Sequence, residues 1–166
     1  MSEINKNEID NKVYFEDLKQ IKETIRTNQY KAMVSVNTKM IETYYVIGTI
    51  INERKTWGNK YIEKLSNDLS EYGRGYSVQN LKYMSQVANE YTINEISHQA
   101  GGQIPWKTLV EITSKSKTHD EMLFYIKETH KNGWSRSMVL NQIAMKAYER
   151  SLIEPITTEV VKNRWR

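Results

Sequence analysis

The residues whose types and spacing suit a defined chemistry are Gln79, Asn80, Lys82, Tyr83 and Gln86. On a helix they turn one way while Val78, Leu81, Met84 or Ser85, and Ala88 turn the other. Side-chain amides can pair with adenine edges, a lysine can meet a phosphate, and a tyrosine can lie against a base, so the set has the chemistry of nucleic-acid recognition. Patterns for bond-breaking chemistry are missing. There is no cysteine, no glycine-rich phosphate loop and no GxSxG turn. His98, His119 and His130 share no metal-ligand spacing, and the carboxylates near lysines lie on amphipathic helices, where a solvated face explains them. The expectation is a chain with no catalytic residue, no metal site and no cofactor.

The elements that must position this set read as helix, turn, helix. Tyr61, Ile62, Leu65 and Leu69 mark one face of a helix, Glu71 to Tyr76 make the turn, and Ser77 is placed to cap a second helix from Val78 to about Asn89. Gly73 and Gly75 loosen the turn, which at six residues exceeds the three or four usual for a DNA-binding helix-turn-helix. An ordinary helical hairpin with a polar outer face fits the pattern equally well.

Upstream, Tyr14, Leu18, Ile21 and Ile25 predict one helix and Met33 to Ile51 a second, longer one, running from about Tyr30 to Lys55. Gly48 inside it marks a close helix crossing. Downstream, residues 92–103 are polar and end in Gly101-Gly102, which predicts a surface loop with one helical turn. Pro105 then opens a short helix through Trp106, Leu109, Val110 and Ile112. Thr118 and Glu121 fit a capping box, Gly133 a helix stop, and Ser135 the cap of a last helix with Val139 and Ile143 inward. Trp57, Trp106 and Trp134 each stand at a helix start, where a large ring can fix the entry angle.

With no period-two alternation and no internal repeat, the fold is expected to be all-α, a multi-helix domain of about seven or eight helices. Its expected limits are a disordered segment 1–11, a helical domain 12–150 and a basic tail 151–166. The formal charge of +4 is concentrated at one end: residues 131–166 carry seven basic and three acidic side chains, and the rest balances. That placement suits phosphate contacts, and a solvated basic tail suits it too. The polar first residues and the lack of a long apolar run point to a cytoplasmic chain with no membrane partner.

The longer motifs resemble a known family. Ile47-Gly48, Trp57-Gly58, Leu65-Ser66-x-Asp68-Leu69, Tyr76-Ser77-x-x-Asn80-Leu81, Pro105-Trp106 and Gly133-Trp134-Ser135-Arg136 are similar, over Ile41 to Arg150, to the N-terminal domain of the YhcG family of PD-(D/E)xK nucleases. The resemblance implies a helical domain with a helix-turn-helix-like unit that binds DNA, usually followed by a nuclease domain that carries metal and catalysis. The sequence ends at Arg166, soon after Tyr148-Glu149-Arg150, so the nuclease half is expected to be absent. The expected DNA contacts are Arg74, Ser77, Gln79, Asn80, Lys82, Tyr83, Gln86, Lys60 and Arg136, on duplex or branched DNA. The alternative is a module that forms a homodimer or recruits a nuclease or restriction-system protein.

Overall fold

A computed structural model describes residues 8–153, and the expected basic tail lies outside them from 154 on, as do residues 1–7 of the expected disordered segment. Among the described residues the protein is all-α: α1 (Asn11–Glu53), α2 (Gly58–Asp68), α3 (Val78–Glu90), α4 (Ile93–Ser97), α5 (Trp106–Lys115), α6 (His119–Asn132) and α7 (Arg136–Ala144). Helical turns resume over residues 147–153, past the expected limit at 150. The chain falls into two units, Met1–Val36 and Asn37–Arg166.

The two helices expected before residue 55 are one. Neither glycine nor proline interrupts the chain between Val13 and Gly48, and Thr27 and Asn28, though weaker helix formers, cost only about 0.5 kcal/mol each. Within the first unit α1 keeps its apolar stripe in the open, with Ile21 56% and Ile25 49% exposed.

The second unit is built around α3. Leu81, Met84 and Val87 are fully buried, with Ile41, Tyr44 and Ile51 of α1, Leu109 and Ile112 of α5, Tyr125 and Ile126 of α6, and Val139 of α7 in the same core. The inward choice at the ambiguous position is Met84, and Ser85 instead hydrogen-bonds Asn52 of α1. Gly48 is where α1 crosses α3, as its place in the sequence predicted. A Cβ there would overlap the Met84 carbonyl and press on the Ala88 Cβ, so only hydrogen fits.

The predicted caps are in place. Ser77, Thr118 and Ser135 accept from the backbone N–H three residues on, and Gly133 ends α6 in the left-handed conformation at φ 63. Glu121 reaches one residue further back than a capping box requires, accepting from the Lys117 N–H at 2.8 Å.

Residues 92–103 contain the expected helical turn, as α4, but are not only a surface loop. Thr92 and Glu95 close a full capping box on α4, Ile96 is completely buried, and a 3-10 turn, Ala100–Gln103, lays Gly101 and Gly102 into the core. Asn37 and Thr38 of α1 clamp this segment, donating to the Ile104 carbonyl at 2.9 Å and the Gly102 carbonyl at 2.7 Å. Polar composition misled here because Thr92 and Glu95 are spent capping α4, while the carbonyls of the buried turn are met by side chains from α1. Trp57 also departs from expectation: it is 59% exposed, edge-on to Tyr61 at 5.2 Å with the Arg54 guanidinium over its ring.

Candidate nucleic-acid interface

α2 and α3 pack together, but residues 69–77 connect them through two successive 3-10 turns, Ser70–Tyr72 and Arg74–Tyr76. This is longer than the compact turn of a DNA-binding helix-turn-helix. The connection is held by side chains. The Ser66 hydroxyl donates to the Tyr76 carbonyl at 2.8 Å, and the Asn80 amide donates to the Gly75 carbonyl.

Asn80 corrects the sequence reading. It was expected to face outward toward a base edge, yet it is half-buried, and its Oδ1 accepts from Trp106 Nε1 at 2.8 Å while its Nδ2 is engaged by Gly75. Both ends of the amide are spent inside the fold, where it ties the start of α3 to the start of α5 and to the turn. Trp106 is 7% exposed and packs edge-on against Tyr44 at 4.9 Å. Burial, with Tyr76 beside it, raises the Tyr44 phenol above its ordinary value.

Around this linkage opens a groove of about 750 Å³. Arg74, Ser77, Gln79, Asn80, Tyr83 and Arg136, six of the nine expected contact residues, line it together. Lys82 is exposed on α3, and Gln86 lies on the helical face of Gln79, two turns on, without lining the groove. Lys60 is exposed on α2 and is not brought there. Tyr83, expected to stand clear of the apolar stripe, packs partly on the core and shows its remaining surface to the groove.

Two charged lining residues, Lys107 and Glu111, escaped the sequence reading. Lys107, Val110 and Glu111 stand at i, i+3 and i+4 of α5 and so share a face, a signal present in the sequence once Pro105 is taken as the helix start. Glu111 accepts from Arg136 at 2.5 Å across the α5–α7 contact. Arg74 and Lys107 have no ion-pair partner among the described residues, so the groove carries three cations and one carboxylate, which pairs with Arg136 and leaves the other two open. Away from the groove, His119 hydrogen-bonds the buried Glu95 at 2.8 Å. Among the described residues no three histidines or carboxylates gather as metal ligands would, and no helix is long and apolar enough to cross a membrane.

The sequence model for the DUF1016 N-terminal domain matches residues 20–150. The chain belongs to that family. The expected kinship with the N-terminal domain of YhcG-type proteins is thereby met, and the match reaches further toward the N-terminus than the motifs did. No curated protein and no solved structure matches the chain. In this DUF1016 N-terminal domain every groove residue, from Met40 to Arg136, falls inside the matched stretch. Within it, Trp106 and Asn80, 26 positions apart in sequence, meet in a single hydrogen bond.

Proposed function

We propose that this domain is a non-catalytic DNA-binding module whose contact surface is the groove between the turn before α3, the start of α5 and the start of α7. The observation that carries the reading is the convergence of Arg74, Lys107 and Arg136 on one concave face with Gln79 and Tyr83 between them. Guanidinium and ammonium groups at such a site supply phosphate contacts, which provide most of the affinity. Gln79 and Lys82, exposed on α3, with half-buried Gln86 a turn beyond Lys82, supply the groups that can reach base edges. Asn80 acts from behind, holding α3, α5 and the turn in register. Docking of α3 as a helix-turn-helix recognition helix belongs to the same proposal, with the long turn serving as a phosphate-facing arm through Arg74.

The test is a fluorescence-anisotropy titration of the full chain against labelled duplex, single-stranded and branched DNA. For three phosphates neutralised, raising salt from about 50 to about 200 mM should weaken binding about 40-fold. Arg74→Ala with Lys107→Ala should remove most of that salt dependence while leaving the circular dichroism spectrum and the melting curve unchanged. Binding by the double variant equal to that of the parent would exclude the groove, and no binding of any DNA form at micromolar protein would exclude the function.

A further inference from the structure

The first unit carries a second recurring pattern. Tyr14, Leu18, Ile21, Ile25, Asn28 and Ala32 follow one another on α1 in alternating steps of four and three, the a and d positions of a heptad with Leu18 at a. This face is open: Tyr14, Ile21 and Ile25 are 49, 56 and 49% exposed. Phe15 and Val36, at flanking e positions, widen it and are 65 and 70% exposed.

The sequence says what fits against it. Residues 8–36 hold five basic and five acidic side chains, a balance that suits another protein helix better than an anionic lipid surface. We propose that residues 11–36 pair with the same residues of a second copy of this chain as a parallel, in-register, two-stranded coiled coil. Parallel pairing sets Asp17, at g, beside Lys22 of the other copy, at e, and brings no like charges together along the seam. It also sets Asn28 against Asn28, where two amides can hydrogen-bond each other. The antiparallel arrangement that stacks Ile21 on Ile25 places Asn28 against Leu18 and leaves the amide unpaired. The inference stands apart from DNA binding: it concerns a different surface and is tested without DNA.

Sedimentation equilibrium of the full chain over about 2 to 200 µM should show monomer and dimer exchanging with concentration. Leu18→Asp with Ile25→Asp should raise the dimer dissociation constant at least about 100-fold, since it sets four carboxylates in the seam. Tyr30→Asp, a change at the exposed position f on the far side of the helix, should leave it within about twofold. Asp17→Lys should weaken the dimer, and adding Lys22→Asp should restore it, a reversal that holds even if the seam variants lose helix. Because the chain has no cysteine, Ile21→Cys reports orientation directly: oxidation should cross-link the parallel dimer at position 21. A monomer at the highest concentration, a dimer indifferent to the seam changes, or a dimer that Ile21→Cys fails to cross-link would each overturn the proposal. So would a monomer that binds phosphatidylserine vesicles, which would assign the stripe to a lipid surface.

Discussion

α1 has two halves with similar side-chain patterns and opposite environments. Before residue 37 its isoleucines stand half exposed, whereas Ile41 is fully buried and Ile51 is 5% exposed. Periodicity alone does not separate them, because a stripe at helical spacing says only that one face can be covered. The difference lies in small and polar residues. Gly48 lets α3 approach, Asn37 and Thr38 catch the carbonyls of Gly102 and Ile104, and Asn52 meets the Ser85 carbonyl at 3.1 Å. The earlier half has heptad spacing and charges matched to a copy of itself. Residues that fasten a helix to its own fold thus mark the buried half better than its apolar residues do.

The largest effect that could break this contrast is expected at Gly48. Gly48→Ala adds one methyl group where the Met84 carbonyl already sits, and backbone cannot swing aside as a side chain can. The substitution should cost about 3 kcal/mol or more, the upper end of overpacking, despite alanine's better helix propensity. Urea unfolding followed by circular dichroism would measure it. A cost under about 1 kcal/mol would mean that α1 and α3 can part easily, and that the second half of the helix is held no more firmly than its apolar content requires.

Asn80→Ala sharpens the comparison from the side of the groove. It leaves the indole N–H of Trp106, in a nearly closed pocket, and the Gly75 carbonyl without their partners, which should cost about 1 to 3 kcal/mol. The same measurement on Gln79→Ala, exposed one position earlier, should give less than about 0.5 kcal/mol. If both changes prove equally mild, Asn80 is available to a ligand and the outward reading of its side chain regains force.

That pair of neighbours also shows what the sequence makes legible. Local signals were readable: Ser77, Thr118 and Ser135 cap where their types predict, Gly133 stops α6, and the all-α class follows from the periodicity. Tertiary commitments were not. Helical phase put Asn80 outward, but phase cannot know that Trp106, 26 residues on, brings an indole N–H to meet its amide. Likewise the polar run 92–103 hides Ile96 and two buried glycines, in a segment that Asn37 and Thr38 of α1 hold by the carbonyls of Ile104 and Gly102. The cluster of Arg74, Gln79 and Arg136 was anticipated residue by residue, while Lys107 and Glu111 needed the α5–α7 contact to be seen as part of it.

The smallest effect is the one that isolates the first half of α1. Ile25→Ala removes an isoleucine that is 49% exposed, so within a single chain it deletes little buried surface and creates no cavity. Alanine also forms helix more readily than isoleucine, which offsets part of what is lost. At submicromolar protein, where a weak dimer has dissociated, Ile25→Ala should therefore change the unfolding free energy by less than about 0.5 kcal/mol. Ile41→Ala, the same change at a fully buried site, should cost about 2 to 5 kcal/mol under the same conditions. Repeating both at about 100 µM separates the sources of stability. If the first half is covered only by a second copy, the cost of Ile25→Ala should grow with protein concentration while that of Ile41→Ala holds steady. A large, concentration-independent cost at position 25 would mean that something within the same chain already covers the stripe, and the contrast between the two halves would fall.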